Sequence, residues 1–241
     1  DGKKLRMFFD REFVLVPGKH EKKYYATFVK KCIRNYPVNT DGFTVKKPDP
    51  EKRPVLTLDT DFQGLPGLLL GFDYSGTIIS PVDPNKKIVS FSFESGVPEF
   101  EVYNRDMKWE SEIAEFLETH GLKRIHENVY LVGNNREKYE LVAWINQNAR
   151  MLDEQNFSLQ QELQDISYFT GKVEMIVKFD EKNDWFDVYA IAKFGDDFEI
   201  PVIQLRKHLL NGIREYKLPD GRIAILPEEW FNKYSDLLSF G

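Results

Sequence analysis

The chain has 241 residues, 33 Lys and Arg against 39 Asp and Glu, a formal net charge of −6, and is 41% hydrophobic and 14% aromatic. That content supports a buried core in one large or two modest domains and excludes a disordered chain or a coiled coil. The longest apolar runs, residues 65–72 and 223–227, are strand-sized and far short of the ~20 residues that cross a membrane.

The charge is unevenly spread. Residues 1–60 carry 14 Lys and Arg against 8 Asp and Glu, whereas residues 61–241 carry 19 against 31. Different segments are therefore expected to meet different partners. Cys32 is the single cysteine, which excludes a disulfide framework and a thiolate zinc site. The chain starts at Asp1 without Met or an apolar leader and stops at Phe240-Gly241. Both ends read as those of a cytoplasmic piece of a longer protein.

Residues 5–9 and 13–16 predict two short strands around Asp10-Arg11-Glu12, closed by Pro17-Gly18. Tyr25, Phe28, Val29, Cys32 and Ile33 then share one face of a helix, with Lys22, Lys23, Lys30 and Lys31 opposite. Four prolines from 37 to 54, with Lys46, Lys47, Lys52 and Arg53 among them, predict a loop or linker. Residues 55–58, 67–74, 77–80, 88–93 and 100–103 read as a meander forming one antiparallel sheet of about 4–6 strands. Asn104 is placed to cap a helix carrying Trp109, Ile113, Phe116, Leu117 and His120, with Gly121 as its stop. His120, at that helix end, reads as a cap on the last carbonyls.

A hairpin over 122–125 and 129–132, a helix from about 135 and a short helix over 158–166 follow. Residues 172–179 and 184–194 alternate as a second hairpin, turned by Gly195-Asp196-Asp197. Pro201 opens a helix over 202–210, and residues 215–218 and 222–226 pair across Pro219-Asp220-Gly221. Pro227 then stands at the first position of a last helix. Strands and helices fall in separate runs. The expected class is α+β, mainly antiparallel sheets and hairpins with about four to six helices packed on them. Three segments are expected. Residues 1–103 are β-rich with a basic helix and Pro-rich linker, residues 104–170 are mostly helical, and residues 171–241 form an α+β module.

Catalytic patterns are scarce. Gly71-Phe72-Asp73-Tyr74-Ser75-Gly76 has the glycine spacing of a phosphate loop, but Thr77 and Ile78 stand where Lys and Ser or Thr are needed, so it reads as strand–turn–strand. His20-Glu21 and His126-Glu127 lack the second His of a zincin. Asp184 and Asp187 around Trp185-Phe186 could serve a carbohydrate-active hydrolase with an aromatic platform, or simply edge a strand of core aromatics. No catalytic residue, metal site or cofactor is assigned. Lys22, Lys23, Lys30, Lys31, Lys46, Lys47 and Arg53, interleaved with Tyr24, Tyr25, Phe28 and Tyr36, form a candidate nucleic-acid strip. The solvent face of an ordinary amphipathic helix has the same pattern.

The C-terminal third carries a longer signature. It runs Asp184-Trp185-Phe186-Asp187, Phe194-Gly195-Asp196, the 202–210 helix, Leu218-Pro219-Asp220-Gly221-Arg222, then Leu226-Pro227 and Trp230. This order resembles the helicase-associated region that precedes the motor in bacterial Swi/Snf-family ATP-dependent helicases, and residues 105–145 are similar to that family's middle stretch. The likeness spans about residues 100–241 and is thin over 1–54. It implies a non-catalytic accessory or regulatory region of a double-stranded-DNA translocase. The partners implied are the protein's own downstream ATPase motor lobes and DNA, with no membrane. The motor would hold the ATPase machinery, and this region would assist engagement of DNA or a partner, or restrain the motor. Asp184, Trp185, Phe186, Asp187, Gly195, Asp220, Gly221, Leu226, Pro227 and Trp230 would then serve as structure, with Trp185 and Trp230 as core anchors. A protein-interaction scaffold without nucleic-acid contact is the other alternative beside the hydrolase.

Overall fold

The computed structural model describes residues 13, 15–93, 96–135, 137–163, 166–182 and 185–232, with 178–182 and 185–188 described by their backbone. In chain order the first elements are α1 (Gly18–Tyr24), a π-helical segment (Tyr25–Val29), α2 (Lys30–Asn35), β1 (Thr44–Lys46), β2 (Lys52–Thr60), β3 (Pro66–Tyr74), β4 (Thr77–Ile79), β5 (Lys87–Ser92) and β6 (Glu99–Asn104). Next come α3 (Met107–Thr119), β7 (Leu122–His126), β8 (Val129–Val132), α4 (Lys138–Gln147), α5 (Ala149–Glu154) and β9 (Ser158–Gln161). The last are β10 (Val173–Lys182), β11 (Trp185–Phe194), β12 (Phe198–Pro201), α6 (Val202–Leu210), β13 (Glu215–Lys217) and β14 (Ile223–Ile225). The class is α+β, as expected, with helices and mainly antiparallel sheets. No helix among the described residues is long and apolar enough to cross a membrane.

The chain forms two compact units. One contains the described residues up to Glu51 with Tyr74–Thr77 and Pro84–Met107; the other contains Lys52–Asp73, Ile78–Asp83 and the described residues from Lys108 onward. In the first unit the sheet order is β1-β6-β5, with β1 parallel to β6 and β5 antiparallel to it. Val29 and Ile33 from the helix and Val89, Phe100 and Val102 from the sheet form the core, and Tyr24, Tyr25, Phe28, Phe43 and Phe91 pack against it. The helix lays down its apolar face as expected, but through a π segment. The Thr27 hydroxyl donates to the Lys23 carbonyl at 2.7 Å, competing for an acceptor that an α-helical N–H would take.

In the second unit the main sheet runs β7-β8-β3-β2-β9, with β4 paired to β3. Leu56, Leu58, Leu68, Leu70 and Phe72 are buried on β2 and β3, as are Leu117 of α3 and Leu141, Val142 and Ile145 of α4. Residues 172–230 add the sheet β10-β11-β12, helix α6 and the β13–β14 hairpin around a second core.

Several expectations are corrected. The strand over 5–9 lies outside the described residues, and Phe13, Leu15 and Val16 carry no strand. The 37–54 stretch is not wholly loop. It contains β1 and the start of β2, including a buried Pro54, and the ladder to β9 begins only at Val55, one residue past the missing donor. The single meander sheet is two sheets, because β5 and β6 leave to pair with β1 while β2 and β3 pair with later strands. Asn104 ends β6 instead of capping α3, which starts at Met107. Residues 158–161 are a strand, not a helix. β9 pairs in parallel with β2, Val55 opposite Ser158, so a long-range ladder overrides local pattern, and the helix nearby is α5.

Candidate functional site

The basic strip divides between the two units. Lys22, Lys23, Lys30 and Lys31 lie on the helix, and Lys46 and Lys47 at β1, all in the first unit; Arg53, at the start of β2, belongs to the second. Lys22, Lys23 and Lys31 are exposed, as is Lys47. Lys30 is half-buried, and burial, reinforced by the Arg34 charge, pushes its ammonium below the usual lysine range. Lys46 is paired with Glu99, whose hydrogen bond and charge raise it above that range. In the first unit the strip thus contracts to Lys22, Lys23, Lys31 and Lys47 as exposed cations without a carboxylate partner among the described residues.

The interleaved aromatics do not share that exposure. Tyr24 stacks on Phe28 at 5.1 Å, and Tyr25 meets Phe43 edge-on at 5.6 Å and Phe91 at 6.3 Å. Burial pushes the Tyr24 hydroxyl above the usual tyrosine range. These rings hold the helix to the sheet, so base stacking by Tyr24, Tyr25 and Phe28 is corrected to core packing, and Tyr36 alone of the four is exposed. The helical period already placed Tyr25 and Phe28 on the same face as Val29 and Ile33.

The signature residues of the C-terminal third gather on one module. Phe169, Phe194, Leu205, Leu209, Leu218, Leu226 and Trp230 are its buried core, with Phe194 edge-on to Phe169 at 5.9 Å and to Trp230 at 6.5 Å. Gly195 turns the chain at φ +60, and a Cβ there would stand 3.4 Å from the Phe169 ring. Gly221 sits at φ +94 and donates its N–H to the Leu218 carbonyl at 2.9 Å. Pro227 immediately precedes a helical stretch beginning at Glu228. Trp185, Phe186 and Asp187 lie on β11 with their Cα atoms opposite Lys182, Glu181 and Asp180. Asp184 lies outside the described residues, so the two-carboxylate reading has no described geometry.

One residue organises the turns. The Arg222 guanidinium lies 5.1 Å from the Phe169 ring centre, donates to Asp220 at 2.5 Å and approaches Asp197 at 3.4 Å. Burial alone would raise the Asp220 carboxyl. The Arg222 backbone N–H and guanidinium outweigh it and hold Asp220 below the usual carboxylate range.

Further side chains tie the module to α4 and β9 before it. Tyr139 of α4 donates to Glu215 at 2.6 Å, and Arg214 pairs with Glu140 at 2.6 Å. Asn146, buried on α4, turns its amide nitrogen to the Phe169 and Gly171 carbonyls at 3.0 and 3.1 Å. Gln161 of β9 holds both the N–H and the carbonyl of Tyr168 at 2.8 Å. Asn146 and Gln161 carried no sequence signal, since a lone Gln or Asn has no period.

Residues 71–76 form the end of β3 and its turn, and a Cβ on Gly71 would lie 3.1 Å from the Ile78 side chain, so that glycine serves close packing. His120 places Nδ1 2.7 Å from the Phe116 carbonyl, in the capping position. Among the described residues no group of three or more His, Cys, Asp or Glu could hold a metal. Burial pushes the half-buried Cys32 thiol upward, away from the thiolate. No protein-family model, curated protein or solved structure matches the chain.

Proposed function

We propose that the chain is a non-catalytic accessory region of a bacterial Swi/Snf-type ATP-dependent DNA translocase, acting in the cytoplasm beside the protein's own downstream motor lobes. The observation that supports this reading is the use made of the signature residues. Strand, glycine turn, helix, Asp-Gly hairpin and Leu-Pro helix start surround one core, with Phe194, Leu218, Leu226 and Trp230 buried in it. Their order is then a folding requirement of a compact module, which is what an accessory region that keeps its shape without catalysis needs. Lys22, Lys23, Lys31 and Lys47 offer exposed charge, while Tyr24, Tyr25 and Phe28 are half-buried against the sheet. That favours sequence-independent contact with phosphates.

The test is enzymatic. The full-length protein is expected to hydrolyse ATP with stimulation by double-stranded DNA, whereas the 241-residue chain hydrolyses none under the same conditions. A full-length protein without a motor after residue 241 ends the reading. Intrinsic ATPase activity of the isolated chain would do so as well.

A further inference from the structure

The sheet β10-β11-β12 treats its two edges differently. β12 is four residues long, ends at Pro201 and runs straight into α6. A short edge closed by proline and a helix is protected against further pairing. β10 is ten residues long, contains no proline, and keeps an unbroken register with β11 from Val173 opposite Phe194 to Lys182 opposite Trp185. No strand among the described residues pairs with its other side. The Gly195 N–H donates to the Lys172 carbonyl at 2.8 Å, so Lys172 turns its backbone groups toward β11. Alternation then turns those of Val173, Met175, Val177 and Phe179 outward, to the open edge. Val173, Met175 and Val177 pack against the module core yet stay half-buried, so the apolar face of the sheet is also unfinished on this side.

We infer that the open edge of β10 takes a second copy of this chain, β10 against β10, antiparallel about a two-fold axis at Ile176. In that register the strand is complementary to itself. Val173 comes opposite Phe179 and Met175 opposite Val177 at the core-side positions, while Glu174 comes opposite Lys178 and Lys172 opposite Asp180 at the outer ones. Lys172 already pairs with Glu174 at 2.5 Å, and the second copy extends this pair into a network of alternating charge. A slip of one residue would bring core-side positions against outer ones. A slip of two sets Lys172 against Lys178 in one direction and Glu174 against Asp180 in the other, like charges directly opposite. An unrelated strand would have to match this order of charges, and the chain itself already does. One seam of two strands is small beside the roughly 1,200–2,000 Å² of a stable interface, so the dimer is expected to dissociate on dilution. The seam involves this chain's residues alone and requires no motor.

Sedimentation velocity of the 241-residue chain over a concentration series tests the seam, and a reversible monomer–dimer equilibrium is expected. Lys178→Glu sets carboxylates opposite each other at both symmetric positions and should weaken the dimer about tenfold or more. Adding Glu174→Lys to that variant restores opposite charges at both positions and should recover most of the lost affinity, which a misfolded chain would not do. A chain that is monomeric at every concentration overturns the self-pairing. So does a dimer that Lys178→Glu leaves unchanged, because its contact then lies elsewhere. A double variant that associates no more tightly than the single one overturns it as well.

Discussion

Asp220 and Arg222 show how much a single turn can ask of two side chains. In the hairpin between β13 and β14, Arg222 satisfies Asp220 through its backbone N–H and its guanidinium while lying over Phe169. Because the folded carboxyl is held below its unfolded value, the stabilisation is present above the ordinary value of 3.8 and is lost as pH falls through the lowered one. Urea unfolding of the chain should therefore show stability declining on acidification below about pH 4. Both Asp220→Asn and Arg222→Ala should flatten that region of the profile. An unchanged acid slope in both variants would remove Asp220 from the account. The sequence marked Asp220-Gly221 as a turn, because glycine at positive φ is a local requirement. It held no sign of Arg222 over Phe169, a contact between residues 53 positions apart that no spacing rule covers.

Elements were legible where local pattern and tertiary demand agree. The α6 period, Val202, Leu205 and Leu209, is the buried face observed, and the alternation in β11 brings Ala192 and Phe194 into the core. They were illegible where a distant partner decides. Ser158-Leu159-Gln160-Gln161 has no strand pattern of its own and becomes β9 through β2. The helical stretch after Pro227 brings in Trp230, which closes the core against Phe194. Trp230→Ala removes a buried indole from that contact and should cost about 3–5 kcal/mol of unfolding free energy. Calorimetry or a urea titration measures it. A loss near zero would mean that the last helix does not hold the module.

The charge of the whole molecule is the level at which sequence reading went furthest and then misled. The excess of cations over residues 1–60 is real, and the structure leaves Lys22, Lys23 and Lys31 exposed on one helix while Glu99 takes Lys46. The aromatic companions that made the strip look like a stacking platform hold the helix down instead. Contact with DNA through this helix should be electrostatic alone. Replacing Lys22, Lys23 and Lys31 by Glu should reduce the slope of log affinity against log salt by about 3, near 0.9 per lost phosphate contact, without unfolding the chain. Fluorescence anisotropy over a salt series measures that slope, and an unchanged slope would exclude the helix as a DNA contact.

The parallel ladder between β2 and β9 also sets a timetable for synthesis. Val55 leaves the ribosome long before Ser158, its partner, has been translated. Until then β2 holds one open edge, and open edges invite pairing with other chains. Its partner strand β9 carries Gln161, whose amide receives Tyr168 and starts the path into the C-terminal module. A nascent or truncated chain ending before residue 161 therefore lacks both the closure of its main sheet and the clasp that begins the next layer.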